Sequence, residues 1–186
     1  MSGKGGVSGA RVGSPFREPQ NGLEAIWNHN LRWRGLRVER SEVSAAVTVN
    51  GRYSLVLSNQ QIAFPYDVPG DKFDWKFANV LLAAKTKILA PAPLTGRGTL
   101  VLEPIDQTRD PRKVWLYTPA LRQLVLQANY GYALPAPNTD ALRTVDQFEL
   151  FSGPTDRYDW TLLGKREMYI PYNANRLHVP ASDSVM

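Results

Sequence analysis

The stretch that decides the fold is KVWLYTPALRQLVLQ, residues 113–127. Two runs rich in β-branched, aromatic and leucine residues flank Thr-Pro-Ala, which predicts a hairpin. Val114 and Leu116 face one side of the sheet. Trp115 and Tyr117 face the other, because side chains alternate along a strand. A sheet face in water does not usually carry Trp and Tyr. The pattern therefore predicts a sheet that is covered twice, curled around helices or wrapped around a ligand.

A second hairpin is predicted from Val43 to Leu57. Small and apolar residues alternate on both sides of Asn50-Gly51, a pair typical of two-residue turns because both positions need a positive φ. A two-residue loop pairs Val49 with Arg52, and Thr48 with Tyr53. One face then carries Val43, Ala45, Val47 and Val56, and the other carries Ala46, Tyr53, Leu55 and Leu57. Neither face is polar, as in the first hairpin.

Helical periodicity is found in two segments. In 21–34 the apolar positions are Leu23, Ile26, Trp27 and Leu31, and in 139–151 they are Leu142, Val145, Phe148 and Phe151. Asn21 is a suitable N-cap for the first helix, and Gly35 suits its C-terminal end. Strands are predicted over 98–103 and 158–170, whereas 79–90 fits a helix or a strand. The order of helix, antiparallel strands, helix and strand indicates an α+β fold.

The chain of 186 residues is long enough for one domain with its own core. We expect a flexible Gly/Ser-rich lead over 1–15, the domain over 16–179 and a flexible tail over 180–186. No apolar run approaches the ~20 residues of a membrane span, and no secretory signal pattern is present at the start. The absence of cysteine excludes disulfides and thiolate chemistry. The net charge of +5 favours anionic partners only modestly.

Residues for catalysis or metal binding are scarce. The histidines are His29 and His178, and neither belongs to an H-E-x-x-H or G-x-S-x-G motif. We therefore expect no enzyme, no catalytic residue and no cofactor. Asp156, Asp159 and Glu149 offer too few oxygen ligands for a metal ion, so no metal site is expected either.

An arginine-rich run and the large aromatic residues each have two interpretations. The arginines are Arg32, Arg34, Arg37 and Arg40, with Trp33 between them. Such a run can grip phosphates, but arginines also favour a helix C-terminus, and nearby glutamates dilute the charge. We favour the second interpretation and expect no nucleic-acid partner. The aromatic residues Trp27, Trp33, Trp75, Trp115, Trp160, Phe148 and Phe151 fit a core or the lining of an apolar cavity equally well.

Five runs resemble a family of Gram-negative bacteria, "domain of unknown function 1329": PQNGLEAIWNHNLRWRG, NVLLAAKTKILAPAPLTG, DPRKVWLYTPALRQ, DALRTVDQFELFSGPTDRYDW and LLGKREMYIPYN. The resemblance covers residues 15–178 in order. It implies a fold similar to the LolA/LolB lipoprotein carriers, an incomplete, strongly curved antiparallel barrel with helices packed on its concave face. Trp115, Tyr117 and Pro119 form a W-x-Y-x-P arrangement similar to one in LolA. Family members carry an export signal and continue past PYN, so the chain is expected to be a fragment with an exposed sheet edge prone to self-association.

The function that the resemblance implies is non-catalytic. It is a periplasmic or outer-membrane-associated binding protein or carrier for a hydrophobic ligand, such as a lipid, an acyl chain or a lipoprotein anchor, with envelope transport components as partners. The expected ligand-binding residues are Trp27, Leu31, Trp115, Tyr117, Leu124, Phe148 and Phe151. The alternative is a structural or interaction module of a cell-envelope assembly, with an interior filled by side chains and no ligand.

Overall fold

A six-stranded antiparallel sheet dominates the computed structural model, which describes residues 6–107 and 109–173. The strands are β1 (Arg37–Val47), β2 (Tyr53–Ala63), β3 (Val80–Ala90), β4 (Gly98–Pro104), β5 (Lys113–Thr118) and β6 (Gln123–Leu126). Each strand pairs with the next one in the chain, so β1 and β6 are the edges of an open sheet. One α-helix, α1 (Gly22–Asn30), is found among the described residues. The α+β class is confirmed, but the sheet is neither closed nor strongly curled.

The β1–β2 hairpin has a longer loop than the two residues predicted. Thr48 N donates to Arg52 O at 2.8 Å, and Gly51 N donates to Thr48 O at 2.9 Å. Gly51 has a φ of +79°, so the loop has three residues with glycine in the left-handed position. The predicted pairing of Val49 with Arg52 is therefore wrong. Because the register changes by one residue, Val56 moves to the face opposite Val43.

The sheet has two distinct faces, which we call inner and outer. Inner-face residues include Glu42, Ser44, Val56, Ser58, Leu82, Ala84, Val101, Glu103, Val114 and Leu116. Outer-face residues include Val43, Tyr53, Leu57, Ala83, Lys85, Leu100, Leu102, Lys113, Trp115, Tyr117, Leu124 and Leu126. Residues 130–153, the cover segment, lie over the inner face, where Phe148 packs against Ile62 and Phe64.

The predicted helix over 139–151 is wrong, because the backbone of the cover segment folds back on itself. Asp146 N donates to Tyr132 O at 3.0 Å, and Ala136 N donates to Arg143 O at 2.8 Å. These bonds use Asp146 N and Arg143 O, a donor and an acceptor that a helix over 139–151 would bind internally. Left-handed φ values are found at Asp140, Ala141, Glu149 and Leu150. A single 3-10 turn, Val145–Gln147, forms instead. The inner face is therefore covered by irregular chain, not by the helices expected there.

The structure also decides the ambiguous segment 79–90 and tests the strand predicted over 158–170. Residues 79–90 form strand β3, which begins at Val80. The predicted strand over 158–170 is wrong, since this segment joins no strand of the sheet. At its start Trp160 packs edge-on against Phe151 at 4.9 Å between ring centroids, and its Nε1 donates to Thr155 O.

Helix α1 lies at the end of the sheet where β2 ends and β3 begins. The predicted cap is confirmed, since Asn21 Oδ1 accepts from Glu24 N at 2.9 Å. Trp27 and Leu31 form a buried cluster with Tyr66 and Leu81, which fixes the helix against the sheet. The helix ends at Asn30 and not at Arg34 as predicted.

Part of the predicted lead lies against the domain. Arg11 Nη2 donates to Val68 O at 2.9 Å, and Tyr66 Oη donates to Gly13 O at 3.0 Å. Residues 1–5, His178 and the tail 180–186 lie outside the described residues.

Candidate functional site

A cavity of about 150 Å³ lies between the inner face and the cover segment; we call it the sheet cavity. Its apolar lining consists of Val56, Leu82, Ala84, Val101, Val114, Ala136, Pro137, Val145 and Phe148. Its polar lining consists of Glu42, Ser44, Ser58, Gln60, Thr86, Thr99, Glu103, Arg112, Tyr130, Asn138, Arg143 and Ser152. Ala84 of β3 and Ala136 of the cover segment both line the cavity, and larger side chains at these positions would fill part of the space.

A buried ion pair lies at the wall of this cavity. Glu103 at the end of β4 is 1% exposed, and Arg112 Nε donates to its Oε2. Tyr132 Oη donates to Glu103 Oε1 at 2.9 Å, and the Arg112 guanidinium lies 4.3 Å from the Tyr132 ring centroid. Burial raises the pKa of Glu103, and the charge of Arg112 opposes this rise.

This ion pair connects the sheet to its cover. Arg112 Nη2 lies 3.3 Å from Ser152 Oγ and 3.4 Å from Ser152 O, and Tyr132 also belongs to the cover segment. A buried charge is costly unless its hydrogen bonds are satisfied, so this arrangement favours one position of the cover. Sequence reasoning missed it, because Glu103 and Arg112 are separated by a loop and no local pattern marks them as partners.

A second cavity of about 180 Å³, the helix-side cavity, lies between α1 and the end of the cover segment. Trp27, Leu81, Ile105, Phe148 and Phe151 are among the residues that line it. Leu82, Phe148 and Ser152 line both cavities, so they lie between the two spaces.

Glu149 is the centre of a charged cluster at the rim of the helix-side cavity. Its carboxylate binds Arg32 Nη2 at 2.8 Å and Arg34 Nη1 at 3.1 Å, with Arg40 Nη1 at 3.7 Å. His29 Nε2 lies 3.0 Å from Glu149 O, which accepts its hydrogen bond. Burial, followed by the charge of Arg32, lowers the pKa of His29. Three arginines of the predicted run are thus in ion pairs within the chain, and the fourth, Arg37, is exposed.

The seven predicted ligand-binding residues do not form one site. Trp27 and Phe151 line the helix-side cavity, and Phe148 lines both cavities. Leu31 is fully buried in the cluster around α1. The other three, Trp115, Tyr117 and Leu124, lie together on the outer face, on the opposite side of the sheet from the sheet cavity.

The sequence predicts that Trp115 and Tyr117 meet a helix or a ligand. The helix is wrong for the described residues, because α1 packs against Tyr66 and Leu81 instead. The cross-strand neighbours of Trp115 and Tyr117 are Leu126 and Leu124, and Tyr117 is 39% exposed. In the aromatic set, Trp33 and Trp75 are also exposed, so they belong to neither a core nor a cavity.

Other site types find no support in the described chain. Within residues 6–107 and 109–173, no three His, Asp or Glu side chains are close enough to hold a metal ion. In the same residues, no helix has the length and apolar character that crossing a bilayer requires.

Comparison with known proteins places the chain in a family. The family model "Protein of unknown function (DUF1329)" matches residues 1–185. A relative from Pseudomonas aeruginosa strain PAO1, "Uncharacterized protein PA3922", is 40% identical over 180 residues, which are 97% of this chain and 39% of that protein. The chain thus spans about two fifths of the length of that relative. No solved structure matches this chain. The chain belongs to the DUF1329 family.

Proposed function

We propose that this protein binds the apolar part of an amphiphilic molecule in the sheet cavity, without making or breaking a bond. The observation that supports this most is a space of about 150 Å³ under the cover segment, with apolar side chains on both walls. Val101 and Val114 contribute from the sheet, and Val145 and Phe148 from the cover. Concave, mostly apolar spaces with a few polar groups are the usual form of small-molecule sites.

The size of the cavity limits what enters it. A cavity of about 150 Å³ in another protein holds benzene, so a ring or a short acyl segment fits here. Removing about 150 Å² of apolar surface from water, at about 25 cal/mol per Å², contributes about 4 kcal/mol before association costs. A longer chain must extend beyond the cover, and micromolar affinity needs polar contacts in addition.

The finer part of the proposal concerns lipid carriage. We infer a LolA-like role, carrying a lipid, an acyl chain or a lipoprotein anchor in the periplasm or at the outer membrane, with envelope transport components as partners. The family resemblance supports this role, and so does a covered antiparallel sheet with space beneath the cover. Fractionation of cells that express the full-length gene product tests the compartment. Recovery in the cytoplasm alone contradicts it.

Ligand binding is tested with two adjacent alanines of β3. Ala84 lines the sheet cavity, whereas Ala83 lies on the outer face. We expect displacement of a fluorescent fatty acid by octanol from the wild type and from Ala83→Phe, and its loss in Ala84→Phe, whose ring fills the cavity. Ala136→Phe fills the space from the cover side and serves if Ala84→Phe does not fold. Equal binding by all variants contradicts the proposal, as does a natively purified protein that neither carries nor binds any amphiphile.

A second candidate function, that of an interaction module, is favoured by the outer face. Leu124 and Leu126 of the edge strand β6 are 60% and 53% exposed, and Val125 between them is 48% exposed. An apolar edge strand offers unpaired backbone groups and adhesive side chains to a further strand. The opposite edge, β1, carries charged residues such as Arg37 and Glu39, which discourage such pairing.

Sedimentation velocity at increasing concentration tests the second candidate. Pairing of β6 with β6 of a second copy predicts a dimer whose population falls in the double variant Leu124→Lys, Leu126→Lys. The control is Lys85→Ala, a change on the outer face away from the edge. A wild type that stays monomeric up to about 100 μM contradicts self-association at any strength expected for a specific interface.

A further inference from the structure

Two carboxylates and two guanidinium groups line the sheet cavity, and the half-buried guanidinium of Arg143 has no carboxylate partner among the described residues. This residue lies in the cover segment and lines the cavity. Its Nε is buried without a hydrogen-bond partner. Within the described part of the chain, its guanidinium makes no hydrogen bond or ion pair. A buried donor that lost its water without gaining a partner is unfavourable, so such a group is informative.

The other charges at the cavity are paired. Glu103 binds Arg112, and both side chains are almost completely buried. Glu42 lies 3.7 Å from Arg40 and also accepts a hydrogen bond from Ser44 Oγ at 3.4 Å. Arg143 is therefore the one cation lining the sheet cavity that lacks a carboxylate partner in the described residues.

The geometry points to an anionic amphiphile as the ligand of the sheet cavity. We propose that Arg143 binds its negatively charged head group while the apolar tail packs against Val101, Val145 and Phe148. The planar guanidinium offers paired donors that match a carboxylate or a phosphate. A head group at this position supplies the acceptor that Arg143 Nε lacks among the described residues. The inference rests on the proposed function and adds to it the class of ligand.

The cavity also offers neutral donors. The hydroxyl groups of Ser58 and Thr99 belong to the inner face and line the same space. They can share the oxygens of a head group, but they do not distinguish an anion from an alcohol. Discrimination by charge therefore depends on Arg143.

The experiment compares octanoate with octanol, which have the same chain length but differ in head-group charge. Affinities are measured by displacement of a neutral fluorescent alcohol probe from the wild type, Arg143→Met and Arg37→Met. The last variant removes an exposed outer-face arginine and is the control for net charge. We expect the wild type and Arg37→Met to bind octanoate at least about tenfold more tightly than octanol, as a charge-assisted hydrogen bond predicts. Arg143→Met should lose this preference, so that octanoate binds it no more tightly than octanol does.

The outcomes separate the two proposals. If the wild type binds octanol and octanoate equally, or if Arg143→Met keeps the preference for octanoate, the assignment of Arg143 is wrong although the cavity binds amphiphiles. If no variant binds either compound, the proposed function itself fails. An acetate titration completes the test, because acetate that binds as tightly as octanoate contradicts a role for the apolar tail.

Discussion

The two faces of the same sheet differ in what they do with apolar and charged side chains. On the inner face Val114 is 1% exposed and Glu103 is buried in an ion pair. On the outer face Tyr53 and Leu124 are 62% and 60% exposed. On the inner face the charged side chains are paired beneath the cover segment, and the sheet cavity remains between the sheet and that segment. The outer face exposes apolar side chains beside charged ones such as Lys85 and Lys113, which suits contact with another surface.

This difference shows that an apolar residue in a strand has no single meaning. Val114 and Trp115 are adjacent in β5, yet Val114 lines the sheet cavity and Trp115 lies on the outer face. Substitutions made in matched pairs, one on each face, therefore test the comparison.

The largest difference is expected between Arg112→Met and Lys113→Met. Loss of the guanidinium leaves Glu103 buried without its partner, and breaking a buried pair costs about 3–5 kcal/mol in the free energy of unfolding. Lys113 is exposed on the outer face, and its substitution should change that free energy by about 0.5 kcal/mol or less. Urea unfolding followed by circular dichroism measures both. Similar values for the two variants contradict the assignment of the buried network.

A smaller difference is expected between Val114→Ala and Leu124→Ala. Removing two methyl groups from the fully buried Val114 costs about 2–3 kcal/mol, since the transfer term and the cavity add. Leu124 is 60% exposed, and its truncation should cost less than about 1 kcal/mol. The same unfolding experiment applies. A larger loss for Leu124→Ala indicates that the outer face is covered in solution.

A third matched pair, Tyr132 in the cover segment and Tyr117 on the outer face, tests what holds the cover segment in place. Tyr132→Phe removes the hydrogen bond to the Glu103 carboxylate, and we expect a loss of about 1–2 kcal/mol in the free energy of unfolding. Tyr117→Phe on the outer face should be close to neutral. Faster amide hydrogen exchange in residues 143–153 of Tyr132→Phe, but not of Tyr117→Phe, locates the effect in the cover segment. Unchanged exchange there shows that this hydrogen bond does not hold the cover.

The smallest effect concerns pH and the end of the cover at Glu149. Burial and Arg32 lower the pKa of His29 below its ordinary value of 6.5, so the unfolded chain binds more protons than the folded chain below that pH. The contribution of His29 to the free energy of unfolding is therefore complete above pH 6.5. It should fall as the pH decreases toward the pKa of His29 in the folded chain. The difference in unfolding free energy between wild type and His29→Gln should therefore shrink between pH 7.5 and 5.5. A difference that grows on acidification has the opposite sign and contradicts a lowered pKa of the half-buried His29.

Much of the sheet is readable from local patterns, because strands and turns depend on neighbours in the sequence. The β5–β6 hairpin at Thr-Pro-Ala is confirmed, with Arg122 in the left-handed conformation that its turn requires. The N-cap at Asn21 is also confirmed. Even here the loop between β1 and β2 was predicted one residue too short, because Asn50-Gly51 fits both a two-residue and a three-residue loop.

The cover segment and the site were not readable, for a physical reason. The spacing of Leu142, Val145 and Phe148 suits a helix, but hydrogen bonds to residues 132–136 outweigh that local preference. The charged partners of the sheet cavity likewise meet only through the tertiary fold. Of the aromatic residues predicted to bind the ligand, Trp115 and Tyr117 lie on the outer face and Phe148 alone lines the sheet cavity, whose other lining is mainly aliphatic and polar.

The most direct test of the central claim is where a bound amphiphile touches the protein. Intermolecular NOEs from unlabelled octanoate to ¹³C-methyl-labelled valine and leucine report that contact. We predict NOEs to Val56, Val101 and Val145, which line the sheet cavity, and none to Leu100, Leu102 or Leu124 of the outer face. Contacts confined to the outer-face leucines would show that the outer face, and not the sheet cavity, is the binding site.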